Sequence, residues 1–273
     1  MSTPMTAAQW TQRLSAEGVS ARYASNWTTA GRDSVTGKTF GPVNGVVIHH
    51  TAGTNSLGLV RTGTSSLPGP LAHAHLAKDG VLTQVSMRRA NHAGSIAQNA
   101  FDAILSEDTL HPRPTVSEPV DGNDHLYGIE IENKGDGKDP YPHVQYDQAV
   151  RWAAAVCRHH GWTAHSVVGH KEVTRRKIDP SFSMEAFRIM VAERLAHPAS
   201  WNPEDDVKGT PVTQIPGKDV EPVKPQAYRD VAETDAIPAP RNHPDYAENK
   251  FWTQESCLRF IAEELIRQRG AGS

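Results

Sequence analysis

Fourteen histidines stand out in this 273-residue chain. Three short segments put histidine or aspartate where a metal could be held: Ile48-His49-His50-Thr51, Gly169-His170-Lys171-Glu172 and Lys177-Ile178-Asp179-Pro180. Zinc accepts imidazole nitrogen and carboxylate oxygen, and a catalytic zinc site uses three protein ligands and keeps one position for water. His49, His170 and Asp179 would supply two imidazoles and one carboxylate. They are far apart in the chain, but parallel and mixed sheets gather strand ends together. Each residue also has an ordinary reading. A histidine that closes a strand can be packed or exposed, and an aspartate before proline suits a turn or a cap. Residue types and spacing leave both readings open.

The elements that must position these residues follow from periodicity. Residues 5–17 read as a short helix with Trp10 and Leu14 on one face and Gly18 as its stop. Residues 19–44 are polar and read as an approach loop. Gly45–His50 is a β-branched run, the pattern of a buried strand. Residues 51–70 are rich in Gly, Ser and Thr. Leu71–Ala77 and Val81–Ser86 flank Lys78-Asp79-Gly80, a hairpin signal. The polar stretch 95–124 reads as a long surface excursion. Leu126–Glu132 alternates as a strand, with Glu130 and Glu132 on one face. Tyr146–His160 fits a helix with Cys157 as a core thiol on its apolar stripe, ended by Gly161. Ser166–Gly169 is a short strand delivering His170, and Met184 to Leu195 mark a closing helix. Strands alternating with helices predict an α/β domain over 1–197, a central mixed β-sheet flanked by helices. Residues 198–249 read as a Pro-rich linker and 250–273 as a C-terminal helical segment.

Composition narrows the function. A formal net charge of -3 argues against a general nucleic-acid binder, which should carry a basic excess. No apolar run approaches the roughly 20 residues needed to span a bilayer, so no membrane insertion is expected. Two cysteines cannot make a disulfide framework. The first 25 residues lack a basic start followed by an apolar core, so no signal peptide is expected.

Six motifs, in order, resemble the type 2 N-acetylmuramoyl-L-alanine amidases. This zinc-dependent family includes phage endolysins, bacterial cell-wall recycling amidases and animal peptidoglycan recognition proteins. Val47-Ile48-His49-His50-Thr51-Ala52-Gly53 resembles its first metal-ligand strand, and Ala72-His73 through Gly80 its central hairpin. Asn91-His92-Ala93-Gly94 resembles its His-Ala-Gly element, and Gly128–Asn133 its glutamate strand. Gly169–Val173 and Lys177–Pro180 resemble its closing ligand segments. The likeness covers about residues 43–195.

The resemblance implies a zinc ion held by His49, His170 and Asp179, with His50 a variable neighbour. It implies catalytic roles for Glu130 and Lys177, and substrate-groove positions for His73 and His92. The implied reaction cuts the amide between N-acetylmuramic acid and the L-alanine of the stem peptide, so the expected partner is bacterial peptidoglycan. Zinc would activate water and polarise the carbonyl, Glu130 would move the proton, and Lys177 would stabilise the oxyanion. Without a signal peptide, the expected product is a phage lysin made in the bacterial host cytoplasm and acting at the cell wall. The alternatives are a cytoplasmic recycling amidase, a zinc peptidase cutting stem-peptide bonds, and a binding module without activity.

Overall fold

The computed structural model describes residues 2–202, 237–238 and 251–252. The chain divides into a unit Met1–Ser200 and a unit Trp201–Ser273. The first contains α1 (Ala7–Ala16), β1 (Ala21–Tyr23), α2 (Asp33–Thr36), β2 (Gly45–His50), α3 (Leu57–Thr62), β3 (Ala74–Leu76) and β4 (Leu82–Gln84). It continues with β5 (Ser95–Ile96), α4 (Gln98–Ser106), β6 (Val120–Asp121), α5 (Gly122–His125), β7 (Leu126–Ile131) and α6 (His143–His160). A 3-10 turn (Ala164–Ser166), β8 (Val167–Gly169), α7 (His170–Val173) and α8 (Met184–Ala196) close it.

Six strands form one mixed sheet in the order β1-β4-β3-β7-β2-β8. Only the β3–β4 hairpin is antiparallel; every other neighbouring pair runs parallel. Its turn works as the sequence predicts: the Asp79 carboxylate accepts the Val81 N–H at 3.0 Å, and Gly80 takes φ +81°.

Side chains alternate across the strands, and both faces are covered. Val46, Ile48, Tyr127, Ile129 and Ile131 pack with Trp10 and Leu14 of α1, the alanine-rich stripe of α6, and Phe187 and Val191 of α8. Trp10 stacks on Trp152 with ring centroids 5.8 Å apart, and both are fully buried. Burying each large apolar side chain of this kind contributes about 1.5–3 kcal/mol. Thr6 starts α1 with a capping box to Gln9, and Gly161, in the left-handed conformation, ends α6. Cys157 is a buried free thiol. On the other face, Val47, Leu126 and Val168 pack against Ala97, Phe101 and Ile104 of α4 and its entry.

The structure corrects two loop assignments and places a helix in a stretch that the sequence pattern leaves unassigned. The polar stretch 19–44 contains β1, which extends the sheet by pairing parallel with β4. Residues 51–70 contain α3. Residues 95–124 are no mere excursion: α4 within them buries Ala100, Phe101, Ala103 and Ile104. None of the described helices is long and apolar enough to cross a membrane.

In the second unit, β9 (Ile237–Pro238) pairs antiparallel with β10 (Phe251–Trp252). The latter two residues are extended where the sequence predicts the start of a helix. The rest of the predicted 198–249 linker beyond residue 202, and of the 250–273 helix, lies outside the described residues.

Candidate active site

The site forms where β2, β7 and β8 end. In β2, Val47 points into the α4 face, so His49, two residues on, leaves the same face. His50 points the other way and reaches the Tyr141 hydroxyl through Nδ1 at 3.1 Å. His170 follows β8 directly and opens α7. The turn is anchored by Glu172, whose carboxylate accepts the Gly169 N–H at 2.9 Å and pairs with Arg188 at 2.8 Å. Asp179 is tied back to α7 through its carbonyl, which accepts the Lys171 N–H at 2.8 Å.

These elements bring His49, His170 and Asp179 together. The two Nδ1 atoms lie 2.9 Å apart, and each is 3.1 Å from Asp179 Oδ2. All three residues are buried, and among the described residues they form the one cluster able to hold a metal.

The outer nitrogens fix which atoms carry protons. His170 Nε2 lies 3.2 Å from the Ala93 carbonyl, which can only accept, so Nε2 carries a hydrogen and the ring turns Nδ1 inward. His92 Nε2 donates to the Leu126 carbonyl at 2.9 Å. That leaves His92 Nδ1 as an acceptor for His49 Nε2, 3.1 Å away, and His49 Nδ1 is bare. Burial first, then the neighbouring His170, pushes the His49 pKa down to about 4, which keeps it neutral near pH 7. With both rings in these tautomers, two imidazole lone pairs and a carboxylate oxygen meet about 3 Å apart. That repels unless a cation sits among them. Donors at about 2.0–2.2 Å from a tetrahedral zinc stand a little over 3 Å apart, so the donor set and its spacing fit zinc.

Glu130 is the register partner of His49 on β7. Its Oε2 is buried with no hydrogen-bond partner. Burial, then the charge of Asp179, raises its pKa to about 8, against a smaller opposing pull from Lys177. Lys177 is exposed on the turn before Asp179, near enough to act on both Glu130 and His49.

His73 and His92 differ in exposure: His73 is fully buried and His92 is half-buried. His73 has no exposed area; its Nδ1 accepts the Gly128 N–H at 3.0 Å, and its ring packs on Phe40 and Tyr127. Burial pushes its pKa down to about 3. Both ring nitrogens of His92 are engaged within the chain, one by His49 and the other by Leu126.

A family model described as N-acetylmuramoyl-L-alanine amidase matches residues 39–182, just over half of the chain. The chain belongs to this amidase family. All three members of the metal cluster, with Glu130 and Lys177, fall inside the matched span. No curated protein matches the sequence. Among solved structures, an AmpD selenomethionine derivative is 22% identical, with 63% of this chain and 94% of that chain covered and a TM-score of 0.43. AmiD from E. coli, in complex with anhydro-N-acetylmuramic acid-L-Ala-D-gamma-Glu-L-Lys, is 17% identical, with 85% and 91% covered and a TM-score of 0.41. The endolysin amidase LysCS from Clostridium intestinale is 17% identical, with 59% and 86% covered and a TM-score of 0.37.

Sequence reasoning missed several residues that hold the amidase site in shape. Asn123 accepts the backbone N–H groups of His92, Ala93 and Gly94 with one carboxamide oxygen, at 2.8, 2.8 and 3.1 Å. Glu118 takes the Thr174 hydroxyl and the Arg176 guanidinium at 2.7 Å, clamping the turn that leads to Lys177. Both lie in the stretch read as a polar excursion, and a lone Asn or Glu there carries no periodic signal.

Proposed function

We propose that the chain is a zinc-dependent peptidoglycan amidase that hydrolyses the bond between N-acetylmuramic acid and the L-alanine of the stem peptide. One observation carries the reading: the donors of His49, His170 and Asp179 converge beside Glu130, whose Oε2 is buried without a hydrogen-bond partner. Family membership sets the substrate class. The substrate named for the E. coli relative contains that same bond.

Zinc bound by these donors supplies a Lewis acid that polarises an amide carbonyl and acidifies water. The chain supplies the rest. Glu130, whose Oε2 has no hydrogen-bond partner in the chain, would take a proton from the attacking water once ionised beside the bound cation and pass it to the departing amine. Lys177 brings a fixed positive charge to the side where the carbonyl oxygen turns anionic. Glu130 stands on β7 and Lys177 on the turn before Asp179, so the two groups come to the site from different elements. No serine or cysteine nucleophile is required.

The finer reading is a lysin that acts on the bacterial cell wall. Its support is the second unit after Ser200, appended to a family match that ends at residue 182. An enzyme that works on an insoluble polymer gains from such an attachment. The test is digestion of purified peptidoglycan followed by identification of the new ends. Free N-terminal L-alanine on released stem peptides, with the glycan chains intact, supports the amidase. New termini inside the stem peptide would assign a peptidase instead.

A further inference from the structure

His92 occupies an unusual place. Its backbone is pinned by the Asn123 carboxamide. Its ring lies over Gly128 of β7, where a Cβ would come within 2.4 Å of Nδ1. Only a residue without a side chain lets the ring sit there. From that seat, His92 links the Leu126 carbonyl at 2.9 Å to His49 Nε2 at 3.1 Å.

We propose that His92 is a positioning residue for His49, which fixes the tautomer and ring angle that turn His49 Nδ1 toward the metal, and not a contact to substrate. The inference rests on the zinc reading above. A carbonyl accepts and cannot donate, so the proton order along the relay is forced. His92 Nε2–H gives to Leu126, His49 Nε2–H gives to His92 Nδ1, and His49 Nδ1 is left with its lone pair. A ligand imidazole is held this way when its other nitrogen is hydrogen-bonded, and losing such a partner lowers metal affinity by roughly 10–100-fold. His170 gets the same service directly from the Ala93 carbonyl at 3.2 Å. Ala93 is the next residue in the chain, so one short turn, held by Asn123, orients both histidine ligands.

The experiment measures zinc affinity of the full chain by competition with a chromophoric chelator. It also records the visible spectrum of the cobalt-substituted protein and KM for a soluble muropeptide at saturating zinc. His92→Phe keeps the ring and removes both nitrogens; its zinc dissociation constant is expected to rise roughly 10–100-fold, with an altered cobalt spectrum and little change in KM. His92→Gln, whose amide oxygen can accept from His49, is expected to recover part of the affinity. Gly128→Ala, which leaves His92 in the chain but displaces its ring, is expected to act like His92→Phe. Unchanged zinc affinity with a raised KM in His92→Phe would make the ring a substrate contact and overturn the proposal. If the variants fail to fold, nitrogen NMR of the metal-free wild type still decides: the proton on His49 must sit on Nε2, and finding it on Nδ1 overturns the proposal. Wild-type protein that takes up no zinc would bring down the metal reading itself and this inference with it.

Discussion

His49 and Glu130 are register partners on neighbouring parallel strands, so their side chains leave one sheet face a single strand spacing, about 4.8 Å, apart. The separation of His49 from Glu130 is therefore set by backbone hydrogen bonds and owes little to side-chain choice. His75 continues the same row on β3, but its Nε2 is taken by the Ser56 hydroxyl at 2.9 Å, and it stands outside the cluster.

One zinc ion per chain is expected by elemental analysis, and His49→Ala, His170→Ala or Asp179→Ala should each abolish stoichiometric binding. Affinity should fall as the solution is acidified, because imidazole must be deprotonated to coordinate. Full metal content in the Asp179 variant would remove the carboxylate from the ligand set.

Glu130→Gln and Lys177→Ala should retain zinc and fold, since neither residue is placed among the donors, yet turn over on the order of 100–1000-fold more slowly. The measurement is release of L-alanine-terminated peptide at saturating substrate. Near-normal rates in both variants would mean the proton and oxyanion roles lie with other residues.

Much of this arrangement is legible in the sequence, for a physical reason. β2 and β7 are buried on both faces, so they read as unbroken β-branched or alternating runs, and the candidate ligand histidines sit near the end of β2 and just beyond β8. Elements held by few cues are not legible. α4 has no side-chain cap at Ala97 and stops at Glu107 in a left-handed conformation normally given to glycine, so neither end is marked. β1 has only three residues and leaves Arg22 and Tyr23 exposed at the sheet edge, with no hydrophobic alternation to find. His73 could not be placed from its type: its burial against Phe40 and Tyr127 is a tertiary fact, and a histidine beside a short strand looks the same whether it faces a groove or a packed interior.

Metal-free protein should show Glu130 in its pH–stability profile. The raised pKa, about 8, means the folded chain holds a proton that the unfolded chain releases near 4.3. The stability this contributes is full below the unfolded value and is lost as pH rises through about 8. Glutamine is neutral throughout, so Glu130→Gln should gain stability relative to wild type between about pH 5 and pH 9, measured by denaturant unfolding in chelator. His49 and His73, with pKa values depressed to about 4 and about 3, act in the opposite sense. Their contribution is present above about 6.5 and lost on acidification, and it cancels in the comparison. A difference that does not change with pH would mean Glu130 is ionised in the fold.

The Glu118 clamp predicts a distal effect on the ligand turn. Thr174 is fully buried and gives its hydroxyl proton to Glu118. Glu118→Ala leaves that donor unpaired, at a cost of about 1–3 kcal/mol, and frees Arg176 from its carboxylate. Thermal or urea unfolding should show the loss, with slower turnover because Lys177 directly follows Arg176. Wild-type stability in Glu118→Ala would show that the turn is held without the clamp.

Removing the second unit separates chemistry from targeting. The metal cluster, Glu130 and Lys177 all precede α8, and the family match ends at residue 182. The cut must still respect the end of the first unit: Arg194 donates to the Ala199 carbonyl at 3.2 Å and pairs with buried Glu17 at 3.0 Å. Truncation after Ala196 would strip the first of these contacts, so the cut belongs after Asn202. The shortened chain is expected to fold, bind one zinc and cleave soluble muropeptides at a rate close to that of the full chain. On intact cell walls it is expected to lose activity, because an appended binding unit acts by raising effective concentration at the polymer and not by changing the bond-breaking step. Equal activity on whole walls would leave residues beyond 202 without a targeting role. Loss of activity on soluble fragments would place part of the catalytic machinery within them and move the domain boundary.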